Sequence, residues 1–382
     1  MQRIEGVPMG YTLTRWFLPI YEAYSVGSFP RALDVPSDIR KALNILHRKA
    51  KKPLLGGGNG VIPRLEWAEA DEPRAFISFA GGKDALAVAI SAERDGYKPT
   101  LVYVGGINKV VPSERKAAEQ VARLAGYPLV ETKINIKGQK DFGEHPLKNV
   151  FILCLLIDIG RLQGATAFGQ GNIFEDDSTR SIIEDCMSDS TDLLRLFVRA
   201  FRKAMKPIRH LNYLHDNLQS FYIVWRNKPQ VIPHLSTCNM GDFRRPMRRK
   251  YIAEHYGADV LSASGCGGCY KCAYEYKHKE KFGLLEKPNI NYSVYCSSLI
   301  REYLRSHDKE PKRDGGYNMF GGKDTEEVQV LKDVAGYYIG RLEYVNEAKC
   351  YVVRQYYGRK HYATRETAEA IKERFLKLFK QG

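Results

Sequence analysis

From Pro73 to Gly171 the sequence alternates short apolar runs with longer amphipathic ones, and this alternation narrows the fold more than any other feature. "AFISFA", "PTLVYVGG", "PLVETKINI" and "ATAFGQG" read as four strands. "KDALAVAISAERDG", "SERKAAEQVARLAG" and "HPLKNVFILCLLIDIGRLQG" read as the three helices between them. The strands are apolar almost throughout, as strands covered on both faces are, and connections of this length join parallel strands. The predicted fold class is α/β: a parallel sheet with helices on both faces. In such sheets ligands lie beyond the carboxyl ends of the strands.

The flanks differ from this core. Residues 1–72 read as an N-terminal extension. It has one helix over "PSDIRKALNILHRKAKK", with Ile39, Leu43 and Leu46 on one face and Ser37 as N-cap, and a flexible glycine-rich loop, "LLGGGNGVIP". The main domain is placed at 73–283. Within it "DLLRLFVRAFRKAMK" is an amphipathic basic helix, "SFYIVWRN" a strand and "RRPMRRKYIAEHYG" a basic helix leading into a cysteine cluster. Residues 284–330 read as a linker of proline, glycine and charge, with little periodicity beyond "SSLIREYL". Residues 331–382 read as three short strands and a helix, a β-β-β-α unit. The longest apolar stretch is broken by Asp158 and is too short to span a bilayer, and the first residues lack a signal-peptide core. A cytoplasmic location is expected.

The tetrapeptide Gly-Gly-Lys-Asp occurs twice. The second copy, Gly321 to Asp324, lies in the linker with no buried strand before it and reads as a turn. The first, Gly81 to Asp84, sits between a buried strand and a helix start. Amides are unpaired at a helix N-terminus and its dipole favours an anion, so this copy reads as a phosphate site. Lys83 adds a cationic contact, and Asp84 can bind Mg²⁺ or position the loop. The Walker spacing is absent.

This first loop resembles that of the PP-loop ATP pyrophosphatases, Ser-Gly-Gly-x-Asp-Ser after the first strand. Both serines are alanine here, Ala80 and Ala85. Two further segments resemble the 7-cyano-7-deazaguanine synthases of that superfamily: "HPLKN" at a helix start and "GQGNIFEDDSTR" after the fourth strand. The resemblance covers roughly residues 73–283. It matches Pro146, Lys148 and Asn149 to the helix-start motif, and implies an ATP site of Ala80, Gly81, Gly82, Lys83, Asp84, Ala85, Gly105, Lys148, Asn149 and Gly169, with Lys83 and Asp84 as catalytic residues. It implies a substrate site of Asn172, Asp176, Asp177 and Arg180. The implied reaction adenylates the carboxylate of a 7-deazaguanine with release of pyrophosphate. Ammonia then displaces AMP.

Three of the eight cysteines, Cys266, Cys269 and Cys272, form a C-x₂-C-x₂-C run. Outside oxidising compartments so tight a cluster reads as a metal site. One tetrahedral Zn²⁺ needs a fourth ligand. Cys238 is the choice, with Cys296, His255 and His278 as competitors. An iron–sulfur cluster with an open fourth position is the alternative.

The net charge of +15 favours a polyanionic partner. Residues 331–382 carry eleven Lys and Arg against six Asp and Glu. Arg341, Arg354, Arg359 and Lys360 fall on or between the strands among several tyrosines. This unit resembles the AP2/integrase-type DNA-binding domain, which implies nucleic acid binding through those cations. Dimerisation through the same unit is the alternative. The expected partners are a 7-deazaguanine, ammonia and nucleic acid, with no membrane. Two other functions stay open: a PP-loop enzyme that modifies tRNA or DNA directly, as by thiolation, and a nucleic acid binder with a degenerate ATP site.

Overall fold

The computed structural model describes residues 2–5, 12–24, 29–105, 112–134, 145, 147–171, 191–204, 208–211, 217–236, 238, 244–262, 265–281, 283–306, 341–345, 350–354 and 360–364, with the backbone alone for 2–5, 49, 112–113, 191–193, 195, 204, 217–219, 281, 301–306 and the last three of these segments. The chain separates into two compact units. The first comprises residues 1–172, 180–213 and 227–236, and the second 173–179, 214–226 and 237–382.

The first unit is α/β. Its strands are β1 (Gln2–Glu5), β2 (Arg74–Ser78), β3 (Lys98–Gly105), β4 (Leu129–Lys133), β5 (Ala167–Gly169) and β6 (Arg209–Leu211). They form one sheet in the order β1-β4-β3-β2-β5-β6, and every pair is parallel. The predicted strands are β2 to β5, and the predicted helices between them are α3 (Lys83–Arg94), α4 (Pro112–Ala125) and α5 (Lys148–Arg161). Alternate side chains on the strands serve opposite faces. Phe76 and Phe168 press on Gly160 of α5, whereas Gly169, beside Ile77, meets Val88 of α3. Both faces are therefore covered.

The segment 1–72, expected as an extension, is built into this unit. β1 pairs with β4 at the sheet edge, and α1 (Thr12–Ala23) and α2 (Ser37–Lys49) bury Phe17, Tyr21, Leu43 and Leu46 in the same core as α5. Asp158 ties α1 down. It accepts from the Leu13 and Thr14 amides at 3.1 and 2.7 Å and from the Thr14 hydroxyl at 2.8 Å. A side chain of α5 thus caps the first turn of α1. The glycine loop at 54–60, expected to be flexible, packs closely: the Leu33 and Gly56 amides bond the Gly56 and Arg31 carbonyls, and Gly57 lies against Leu33. Its glycines serve close backbone approach. Helix α6 (Thr191–Ala204) matches the predicted basic helix.

In the second unit "SFYIVWRN", expected as a strand, lies in helix α7 (Asn217–Asn227). Ser220, Phe221 and Val224 are buried, a helical spacing that the β-branched and aromatic residues disguise. Helices α8 (Arg245–Tyr256), α9 (Tyr270–Lys281) and α10 (Ile290–Ser306) share a small core. The last of these occupies part of the expected linker. It buries Tyr292, Cys296 and Ile300, at i, i+4 and i+8. Strands β7 (Arg341–Val345), β8 (Cys350–Arg354) and β9 (Lys360–Thr364) form an antiparallel sheet. The helix expected after them and the second Gly-Gly-Lys-Asp copy lie outside the described residues.

Candidate nucleotide loop and metal centre

The order of strands places the first glycine loop at a particular point. From β2 the chain moves through β3 and β4 to one side of the sheet, then returns to β5 and β6 on the other. The carboxyl ends of β2 and β5 therefore flank the topological switch point, the usual ligand crevice of such sheets. The loop after β2 is Phe79 to Gly82. Gly81 holds φ +83, and a Cβ there would stand 3.0 Å from the Ala118 amide nitrogen of α4. Glycine meets both demands. The Ser236 amide donates to the Gly81 carbonyl at 2.8 Å, fixing the turn from outside. Gly82 is the N-cap of α3, with extended backbone and no side-chain cap.

The loop after β5 joins two helix starts. Gln170 is buried and donates through Nε2 to the Asn149 carbonyl in the first turn of α5, at 2.7 Å. Its neighbour Gly171 approaches Ala85 so closely that a Cβ would stand 2.6 Å from the Ala85 amide nitrogen. Two consecutive residues thus hold the starts of α3 and α5 at one edge of the sheet. Gly81, Gly82, Lys83, Asp84, Ala85, Lys148, Asn149 and Gly169 lie on this edge, and Gly105 ends β3 on it. Lys83 is nearly buried, with Nζ 2.7 Å from Asp84 Oδ1. The loop therefore presents a paired ammonium and carboxylate beside the amides of α3. An ammonium is an anion-binding group and a carboxylate a hard oxygen donor, so the pair offers one contact of each kind. Pro146, Asn172, Asp176, Asp177 and Arg180 lie outside the described residues, so the expected substrate loop has no geometry here.

His145 stands just before α5 and has no spacing in the sequence that marks it. It stacks on Tyr21 with ring centroids 3.5 Å apart. Its Nε2 donates to the Tyr21 carbonyl at 2.9 Å, and its Nδ1 accepts from the Leu147 amide at 3.1 Å. Burial pushes its pKa down to about 4, against the upward pull of the Tyr21 carbonyl. It is a neutral structural support for the α5 start.

The second unit brings four thiols together. Cys238, Cys266, Cys269 and Cys272 have all their sulfurs within 4.8 Å of one another, and all but Cys238 are buried. Cys269 Sγ is 3.4 Å and Cys266 Sγ 3.9 Å from Cys272 Sγ. Zinc–sulfur bonds of about 2.3 Å place tetrahedral ligands roughly 3.8 Å apart, so the set fits a single tetrahedral ion. The thiol of Cys269 is pulled down to about 7: the hydrogen bond with Cys238 acts upward and is outweighed by those with Cys266 and Cys272. Bonds with Cys238 and Cys269 hold Cys266 up against the opposing bond with Cys272, and bonds with Cys238, Cys266 and Cys269 hold Cys272 up. A cation bound between the four sulfurs would draw their protons off and make all four thiolates.

The competing ligands are elsewhere. Cys296 is buried in the helical core beside Tyr292, His255 stacks on Tyr251 on an exposed helix face, and His278 packs near Phe221 and Tyr274. Strand pairing sets Arg341 opposite Arg354 and Arg354 opposite Lys360, which aligns three of the four expected nucleic-acid cations across one end of the small sheet. Arg359 lies outside the described residues. No helix among the described residues is long and apolar enough to cross a membrane. No protein-family model matches the chain, and comparison with curated proteins returns no significant match.

Proposed function

We propose that the protein is an ATP-dependent ligase of the PP-loop type, similar to 7-cyano-7-deazaguanine synthase, with a separate affinity for nucleic acid through its C-terminal strands. The observation that carries this reading is the uncapped glycine turn at the switch point of a parallel sheet, with Lys83 and Asp84 in the first turn of the following helix. Amides at Gly82 to Ala85 would receive phosphate oxygens, Lys83 would balance their charge and Asp84 would carry Mg²⁺. Because Ala80 and Ala85 replace the hydroxyl residues of the resembled loop, binding rests on backbone donors and Lys83.

In the proposed reaction a substrate carboxylate oxygen attacks the α-phosphorus of ATP and pyrophosphate leaves. Ammonia then attacks the acyl carbon, AMP leaves, and the amide loses a proton. A second activation of the amide oxygen would dehydrate it to the nitrile. The cysteine set supports a structural Zn²⁺: four sulfurs spaced for one ion leave no open coordination position, which weighs against the thiolating iron–sulfur alternative.

The test is incubation of the purified chain with ATP, Mg²⁺, ammonia and 7-carboxy-7-deazaguanine, with nucleotide products separated and the base followed by mass spectrometry. AMP and pyrophosphate with the amide or nitrile mass are expected, and Lys83→Ala should lower the rate by about 100-fold or more. Release of ADP, or no conversion of the base, refutes the reading.

A further inference from the structure

Helix α8 has two faces with different partners. Arg249, Ile252 and Tyr256 point inward. Arg249 donates through Nη1 to the Ser262 and Gly265 carbonyls at 2.7 and 2.5 Å, just ahead of Cys266. Ile252 is fully buried and lies where a Cβ on Gly267 would stand 3.0 Å away; Gly267 also has φ +74. Tyr256 stacks on Tyr295 and holds the Asn289 side chain through its carbonyl. The cysteine loop and α10 therefore fix the rotation of α8 about its own axis.

The opposite face carries Arg244, Met247, Arg248, Tyr251 and His255, at helical spacing, and all five are exposed. Met247 is 71% and Tyr251 42% exposed. Along 244–256 five cations face a single acid, Glu254, whose nearest described partner is Lys250 at 3.8 Å. The stem of Arg248 runs over Gly268, between Cys266 and Cys269, which places a guanidinium at the rim of the cysteine loop. The Tyr251 and His255 rings stack at 4.0 Å and 30°, forming a flat platform beside it.

We infer that this outer face of α8 binds single-stranded nucleic acid, with Arg244 and Arg248 on phosphates and the Tyr251–His255 pair under a base. Charge complementarity selects a polyanion, and a rigid aromatic pair among guanidiniums selects one with flat bases. The site is independent of the ligase reading and of the C-terminal strands. Because its rotation is set by the loop that carries Cys266, Cys269 and Cys272, binding also depends on the metal that this loop would hold.

The experiment uses the zinc-loaded full chain and fluorescently labelled 20-nucleotide single strands of DNA and of RNA, titrated by anisotropy at several salt concentrations. The double variant Arg244→Gln/Arg248→Gln should bind about tenfold more weakly, with a shallower slope of log affinity against log salt, by roughly 0.7 per lost phosphate contact. Tyr251→Ala should weaken binding about fivefold or more with the slope unchanged. Hydrogen exchange should show protection of residues 245–256 on adding the oligonucleotide. The stronger of the two strands names the partner. No binding by the parent chain, parental affinity and slope in the variants, or binding to phosphatidylserine vesicles in place of oligonucleotides would each overturn the inference.

Discussion

The sheet unit and the cysteine unit stabilise their candidate sites by different means. The sheet unit has a deep core: Phe76, Phe151, Phe168, Phe197 and Phe201 are all fully buried, and the glycine loop is an edge of that layered structure. Among the described residues the helical core of the cysteine unit has six buried members drawn from three helices, two of them tyrosines. Beside it stand four sulfurs spaced to hold one metal ion. So the first site is held by burial and backbone hydrogen bonds, whereas the second has the sulfurs for coordination to complete it. A small core of this kind is one that metal binding commonly completes.

The largest effect expected from this difference is on metal removal. Structural zinc supplies on the order of 10 kcal/mol in small metal-dependent folds. A strong chelator, or Cys272→Ser, should release the ion and leave helices 245–256, 270–281 and 290–306 exchanging amide hydrogens rapidly, while strands 74–78 and 98–105 keep their protection. Exchange followed by mass spectrometry reads both units in one sample. Equal loss in both units, or no loss in either, breaks the comparison.

The matching experiment on the sheet unit is Asp158→Ala. Asp158 is wholly buried and receives the Leu13 and Thr14 amides, the Thr14 hydroxyl and, at 3.4 Å, Arg161 Nε. Its loss leaves buried donors and the Arg161 cation without their acceptor, at a cost of about 3–5 kcal/mol. Urea unfolding monitored through the sheet unit should show that loss. Metal content should not change.

How far the sequence disclosed these arrangements differs between the units for the same physical reason. Strands β2 to β5 and helices α3 to α5 were legible because burial on both faces writes apolar residues at nearly every strand position. β6 is only Arg209–Leu211, and its place comes from pairing with β5 rather than from its composition. β1 was hidden likewise, in a short charged stretch paired to β4. The cysteine triplet announced itself by spacing. Cys238 could be proposed but not placed, because folding must close the 27 residues between it and Cys266. Asp158 looked like an interruption in an apolar helix, since the amides it caps lie 145 and 144 residues earlier. α10 was obscured because its inward positions are Tyr292 and Cys296 rather than aliphatic residues.

The smallest predicted effect separates the units by acid. In the sheet unit His145 is neutral, with Nε2–H on the Tyr21 carbonyl and Nδ1 on the Leu147 amide, so protonation would set two donors against each other. Burial, opposed by the Tyr21 carbonyl, takes its pKa from 6.5 to about 4. Between those values the unfolded chain binds a proton that the folded chain does not, so stability rises with pH across the window and falls on acidification. The full effect is roughly 3 kcal/mol. Asp158 acts in the opposite sense: burial raises its pKa above 3.8 despite its hydrogen bonds to Thr14 and Leu13 and the nearby Arg161 charge, so the folded chain takes up that proton first as pH falls. Comparing urea midpoints at pH 7 and 4.5 for the parent and His145→Gln isolates the histidine, since every other group is shared. The variant should lose less stability on acidification than the parent; equal losses would mean His145 is not held neutral. In the cysteine unit acid acts differently, because protons compete with the metal for the thiolates. Its acid transition should follow zinc release and move to lower pH when zinc is added, whereas the His145 transition should ignore zinc altogether.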